Sequence, residues 1–326
     1  MNLDAQILAS LRGATETSVS GADLAQKLGI SRAAVWARIQ ELRSLGYDIQ
    51  ASPHLGYRLL ASPDLLHADD LASRLGKTAV IGRDIRVFQE TSSTNDVIER
   101  LARDGIKEGT VVFAESQTKG RGRLGRKWLS PPNKGLWFSI LLRPALRPQD
   151  ATQLTVASAT AVRRAIQKQT GLKPAVKWPN DILLKGRKVA GILTEMAAEL
   201  DQVKHLILGI GVDVNLGATD FPPDLRKIAT SLKIETGESI SRSELAIHIL
   251  RELDRDYQRV CSGEFTAVAD EWEEHCSTMG QVVSIQSGNR QIRGRAESLA
   301  EDGALLIRTD HGHLERVVAG DVLMEK

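Results

Sequence analysis

The sequence predicts an α+β chain in three parts: a helical module in front, a mixed α/β centre, and a small all-β unit behind. Three observations carry this. Apolar residues recur at helical spacing from Leu3 to Leu45. Strand-like and helix-like runs then interleave as far as Asn215. Beyond Gly280 only short alternating runs remain, separated by glycine turns. A length of 326 residues suits two domains of roughly 150 residues, or three if some are small. With 42% hydrophobic and 26% charged residues, the chain can build an ordinary globular core.

At the front, Leu3, Ile7, Leu8 and Leu11 mark a first helix, and Ser20 or Gly21 opens a second that runs to Leu28. Gly29 breaks it, and Ser31 is placed to cap a third helix over residues 31–45. Ala25, Gly29 and Val35 stand where a tight helix–turn–helix needs a small residue, a turn and an apolar lock. Val35, Ile39, Leu42 and Leu45 share one face of the third helix. Arg32, Trp36, Gln40 and Arg43 fall within roughly 80° on the opposite face, and such side chains suit phosphates and major-groove base edges. Tyr47 and Ile49, a turn around Pro53 and Gly56, then Tyr57 and Leu59 read as a hairpin. Three helices and a hairpin make a winged helix-turn-helix over residues 1–63, with DNA as the expected partner. The alternative is a packing or dimerisation module with a solvated basic face.

Lys and Arg total 43 against 41 Asp and Glu, a net charge of +2, so nucleic-acid or membrane binding must come from local patches. Cys261 and Cys276 cannot form a disulfide framework, which fits a reducing compartment. No apolar stretch approaches the ~18 residues of a membrane span. Asp4 sits too early for a signal peptide, so a cytoplasmic protein with no membrane partner is expected.

In the centre, residues 84–89, 110–116, 135–144, 175–179, 188–199 and 204–215 read as strands, the last two joined around Leu200-Asp201. Residues 94–105 and 149–171 read as helices ending at Gly105 and Gly171. Residues 117–135 are too rich in Gly, Arg and Pro for either. Within them, 120–125 match G-x-G-x-x-G, yet the dinucleotide fingerprint needs a helix that Pro131-Pro132 forbids. What remains is a glycine-spaced loop carrying Lys119, Arg121, Arg123, Arg126 and Lys127. It reads as a clamp that folds over an anion through charge-assisted hydrogen bonds.

Two further constellations follow. Lys177 and Lys188 stand on what reads as two arms of a hairpin around Pro179, Asn180 and Asp181, which calls for something anionic between them. Gly209 and Gly211 thin a strand so that something can lie against its backbone.

Ser92-Ser93-Thr94-Asn95, the loop from Glu115 to Trp128, Lys177–Asp181 with Arg187–Leu193, and Gly209–Asn215 together resemble the biotin protein ligase family in order and spacing. The front module makes the nearest match the bifunctional form that is also the biotin operon repressor. The resemblance implies that Ser93, Thr94 and Gln117 line the biotin head group, with Gly191, Gly209 and Gly211 beside it. It implies that Arg121, Arg123 and Lys188 meet the biotin carboxylate and the phosphate; the chemistry of transfer makes Asp181 a candidate to orient or deprotonate an attacking lysine. Arg126, Trp128, Lys177, Asn180 and Asp213 fall on the nucleotide side. The family commonly has Asn where this chain has Asp213, which as a carboxylate is a candidate for Mg²⁺.

The implied activity joins biotin to ATP as biotinyl-5′-AMP, then passes biotin to a lysine of a biotin carboxyl carrier protein. The adenylate is the implied co-repressor, acting through a homodimer on operator DNA. The alternatives are a ligand-sensing regulator without catalysis and a lipoate-protein ligase-like enzyme. No covalent nucleophile is needed, and the seven histidines receive no role.

The catalytic part is expected over 64–277, closing with amphipathic helices at 240–260 and 264–276. Strands at 281–286, 290–300, 304–309 and 313–324 follow, with turns at Ser287-Gly288-Asn289, Asp302-Gly303 and His311-Gly312. By resemblance this tail, 278–326, is a small SH3-like barrel that helps cover ATP and dock the carrier.

Overall fold

A computed structural model describes residues 3–14, 17–53, 55–288 and 290–324. The chain divides into two compact units, residues 1–77 and 78–326. The first holds α1 (Leu3–Gly13), α2 (Gly21–Leu28), α3 (Arg32–Ser44), β1 (Asp48–Ser52), β2 (Gly56–Ala61) and α4 (Ala68–Leu75). Ser20 and Ser31 cap α2 and α3 by accepting from the amides of Ala22 and Ala34, and Gly29 ends α2 at φ +66°. Leu8, Leu24, Val35, Ile39 and Leu42 fuse into one core with Ile49 of the β1–β2 hairpin. Leu45, expected on that buried face, is exposed because α3 stops at Ser44 and Leu45 becomes its C-cap. The first compact unit continues past Pro63 to Lys77: α4 packs on α1, and its buried Asp70 pairs with Arg12 and Arg74.

In the second unit β3 (Asp84–Thr91), α5 (Thr94–Arg103), β4 (Thr110–Gln117), β5 (Gly135–Leu142) and α6 (Thr152–Thr170) follow in turn. Next come β6 (Ala175–Lys177), β7 (Asp181–Leu184), β8 (Arg187–Glu199) and β9 (Gln202–Asp213). The seven strands form one sheet in the order β3-β4-β5-β9-β8-β7-β6. Only β3 and β4 pair in parallel. Every residue of β5 is buried, as befits a central strand covered on both faces.

Sequence reasoning missed β7. Lys177 and Lys188 are therefore not two arms of one hairpin; β7 runs between their strands. The β7–β8 turn is made by Lys185 and Gly186, both at positive φ, the two-residue hairpin geometry that follows a right-handed strand twist.

Side chains alternate across the sheet, so its two faces are covered by different helices. Val97 and Ile98 of α5 pack on Val112, Leu141 and Ile207. After α7 (Leu232–Thr236) come α8 (Arg242–Cys261) and α9 (Phe265–Glu274), and on the other face α6 packs against α8 and α9. Buried Asp254 of α8 accepts hydrogen bonds from the amides of Ala79, Val80 and Ile81, each at 2.8 Å, and so fixes the entry to β3.

The tail adds β10 (Val282–Ser287), β11 (Arg290–Leu299), β12 (Leu305–Thr309), β13 (Leu314–Val317) and β14 (Asp321–Met324) as a five-stranded antiparallel sheet, order β13-β12-β11-β10-β14. Val283, Ile285, Ala296, Leu305 and Ile307 form its apolar interior. The run read as one strand at 313–324 is two, broken around Gly320. Asn289, in the first expected turn, lies outside the described residues. Among the described residues no helix is long and apolar enough to cross a membrane.

Replacing Asp254 by Ala strips three amides of their acceptor, that of Ile81 buried. The expected loss is roughly 3 kcal/mol, at about 1 kcal/mol or more per bond to a charged group, with Asp254→Asn recovering part of it. Thermal unfolding of the full chain measures this.

Candidate functional site

Period two along β9 puts Ile207, Gly209, Gly211 and Asp213 on the face that α5 covers. The β8 register sets Glu195, Leu193 and Gly191 beside the first three. A cavity of about 480 Å³ opens on this face. Of the residues that the sequence singled out in the central domain for a ligand, all but Lys119 line it.

The glycines make room first for this chain's own side chains. A Cβ on Gly209 would come within 2.3 Å of Asn95 Oδ1, and one on Gly211 within 2.5 Å of the Trp128 indole. A Cβ on Gly191 would meet both Lys188 and Trp128 at 3.0 Å. The thin strand thus seats Asn95 and the end of the arginine loop.

At one end of the cavity, buried Ser93 caps α5 without a side-chain bond, and the Thr94 amide donates to Gln117 Oε1 at 2.8 Å. Gln117 Nε2 donates to Ser130 at 2.9 Å. The Ser139 hydroxyl lies 2.7 Å from Thr94 Oγ1 and 2.5 Å from Asn95 Oδ1. This end is a small polar pocket backed by Phe138, Ile192 and Ile210.

The loop folds over the other end. The Lys119 amide donates to Ser92 O and the Trp128 amide to Gly120 O, closing its two stems. Its tip is a single 3-10 turn, Arg123–Gly125, with Leu124 at φ +55°. Arg121 donates to Glu195 and Asp96. Arg123 donates to Asn180 Oδ1 at 3.3 Å and to Gly320 O at 3.2 Å, while Arg126 pairs with Asp321. Burial lowers the Arg123 guanidinium from its ordinary value, with Asp321 and Asp181 pulling the other way.

Lys188 Nζ lies 2.6 Å from Asp181 Oδ1 and 5.2 Å from the centre of the Trp128 ring. Asp181, given to an incoming lysine by the sequence reading, is thus engaged by Lys188. Asn180 also donates to Ile192 O at 2.5 Å. Half-buried Lys177 lines the cavity beside them. Asp213 is buried, and burial pushes its carboxyl well above the usual carboxylate range, against the pull of Lys188.

The chain was then compared with known proteins. Residues 87–213 match the biotin/lipoate A/B protein ligase family, residues 4–58 an HTH domain, and residues 278–324 the biotin protein ligase C-terminal domain. Bifunctional ligase/repressor BirA of Bacillus subtilis is 38% identical over 93% of this chain and 93% of its own. BirA of Escherichia coli is 30% identical over 93% of this chain and 92% of its own. The chain belongs to the biotin protein ligase family. Biotin protein ligase from Aquifex aeolicus in complex with biotin and ATP is similar in structure, with a TM-score of 0.64 at 31% identity, covering 75% of this chain and 99% of that one.

The four side chains that the sequence singled out for DNA all stand on α3. Arg32 is exposed, Trp36 is 58% exposed and Gln40 is half-buried. Arg43 is turned aside: its Nε and Nη2 donate to Ile49 O at 2.9 and 2.5 Å, tying α3 to β1.

Several cavity residues escaped the sequence reading. Asn95 stood inside a quoted motif without a role. Phe221, Leu225, Ile228 and Ala229 wall the cavity from a segment with no helical or strand period, and Asp321 and Val322 reach it from β14. Among the described residues no group of three metal-ligating side chains exists. Asp213, alone and buried near Lys188, is a poor seat for Mg²⁺, which favours one or two charged carboxylates with phosphates and water. Among the described residues, therefore, the cavity's side chains alone do not make a metal site.

Burial of the Asp213 carboxyl makes stability depend on pH. A carboxyl whose folded value lies above its unfolded value costs nothing below the unfolded value and costs progressively more as pH rises through both. Asp213→Asn should therefore unfold at a higher temperature than the parent at pH 7–8, with the difference vanishing near pH 4. Thermal unfolding across pH measures it; a difference independent of pH contradicts the assignment.

Proposed function

We propose that this chain is a biotin protein ligase and a biotin-responsive repressor. It activates biotin with ATP to biotinyl-5′-AMP and transfers biotin to a lysine of a biotin carboxyl carrier protein. The observation that carries this reading is the convergence of Lys188, Arg123 and Arg126 on one end of a cavity whose other end is a small hydrogen-bonding pocket. A neutral cyclic urea fits the polar end, where Gln117, Thr94, Ser93 and Ser139 offer donors and acceptors on an apolar backing. Biotin's valeryl chain then runs along Trp128, and its carboxylate meets the cations.

The barrier to joining a carboxylate and an α-phosphate is mutual repulsion. Lys188 and Arg123 offset it by binding both anions, Lys188 exchanging Asp181 for the ligand oxygens. Carboxylate oxygen bonds to phosphorus, pyrophosphate leaves, and the loop shields the mixed anhydride from water. The carrier amine then attacks the acyl carbon and AMP departs. Asp181, released by Lys188, orients that amine. Asn180, Lys177, Asp213 and the Phe221–Ala229 wall hold the nucleotide, with Mg²⁺ arriving on its phosphates. The division of labour is 1–63 for DNA, 64–277 for catalysis and 278–326 for covering the nucleotide and receiving the carrier. The match of the tail to the biotin protein ligase C-terminal domain supports biotin over lipoate as the acid.

Lys188→Met should lower biotin-dependent pyrophosphate release by roughly 10²–10³-fold, the scale of losing one preorganised electrostatic contact. Release that responds to lipoate in place of biotin, or no release by the parent chain, refutes the assignment. Filter binding to operator DNA should tighten when adenylate is present, and Arg32→Ala should weaken it while lowering the salt slope by about one. Equal affinity with and without adenylate removes the co-repressor role.

A further inference from the structure

The resemblance assigns Arg121 to the ligand, but its guanidinium is otherwise engaged. Nε and Nη2 fork onto the two oxygens of Glu195, at 3.1 and 2.9 Å, and Nη1 reaches Asp96 Oδ1 at 2.5 Å. Two carboxylates thus meet one cation. Neither carboxylate is among the residues lining the cavity, and neither was singled out by the sequence.

Glu195 is held independently of the loop. Its Oε2 accepts from Asn95 Nδ2 at 2.5 Å, and Asn95 is fixed by Ser139 and seated against Gly209. It stands on β8, paired with Ile207 of β9. Asp96 lies in the first turn of α5, where a carboxylate is favoured by the helix dipole. A rigid floor therefore presents two anions to a cation on the glycine-spaced loop. Glu195, Asn95, Ser139, Thr94 and Gln117 form one continuous line of hydrogen bonds, so the receiver for Arg121 is joined to the polar end of the cavity.

The triad sits at the water's edge: Arg121, Glu195 and Asp96 side chains are 33%, 36% and 42% exposed. Such pairs are weak and screened by salt. This suits a fastening that must open each cycle to admit substrates and release product.

We infer that Glu195 and Asp96 are positioning residues that clasp Arg121, and that this clasp sets how long the loop stays shut over the bound adenylate. The statement about adenylate rests on the ligase reading; the clasp itself does not. Arg121 then acts on the ligand through the loop, and Lys188 and Arg123 make the charge contacts.

The test uses the full chain and the variants Glu195→Gln, Asp96→Asn and both together. Trypsin cutting at the loop's Lys and Arg residues, without ligand, should speed up by about tenfold in Glu195→Gln, the change that 1.4 kcal/mol produces. Cutting elsewhere should be unchanged. Release of biotinyl-5′-AMP after incubation with biotin and Mg·ATP should quicken similarly. Raising salt from about 0.1 M to about 1 M should speed loop cutting in the parent and leave the double variant unaffected. Asp96→Asn, on an exposed helix turn, keeps the test open if Glu195→Gln fails to fold. Unchanged loop cutting in the variants, or the same salt response in parent and double variant, overturns the clasp. A parent chain that forms no adenylate overturns the ligase reading, while the trypsin comparison still decides the clasp.

Discussion

Cationic side chains crowd this half-buried cavity, and four of them, Lys188, Arg121, Arg123 and Arg126, find an anion or a carbonyl within the protein. Lys188 has Asp181, Arg121 has Glu195 and Asp96, Arg126 has Asp321, and Arg123 has Asn180 and a backbone carbonyl. Arg121 and Arg126 are open enough to water that their pairs are weak, and the partners come from four separate places in the sequence. The same arrangement explains how the site works. A ligand with a carboxylate and phosphates offers better acceptors than those resident partners, so binding is an exchange of anions around fixed cations.

That exchange depends on the glycines of β8 and β9. The sheet is thinned at Gly191, Gly209 and Gly211, so that Asn95 drops onto its floor and Trp128 lies flat against it. With the indole seated, the loop that ends at Trp128 has one place to fold, and Lys188 is held beneath the ring. Substituting a larger residue at Gly211 would meet the indole well inside van der Waals contact and lift the roof.

Much of this was legible in the sequence because the chemistry is written in short runs. Helix caps at Ser20 and Ser31, the largely apolar runs of β4, β5 and β9, and the cation-and-glycine loop each sit within a few residues. What could not be read joins distant segments. Glu195 meets Arg121 only because β8 pairs with β9 and α5 lies over both, and Asp321 meets Arg126 across most of the chain. β7 was hidden because Asp181–Leu184 is only four residues between turn signals, and its absence made Lys177 and Lys188 look like direct neighbours. Arg43 fitted a helix-face count but is drawn to Ile49 O, a contact that appears only once the wing is folded.

The central claim is that one cavity brings a carboxylic acid and a nucleotide together beneath the arginine loop and keeps their product. Native mass spectrometry of the full chain incubated with biotin and Mg·ATP tests it most directly. The account predicts a retained mass equal to one biotinyl-5′-AMP, absent when either substrate is omitted. A chain that binds neither substrate, or binds both without joining them, contradicts it.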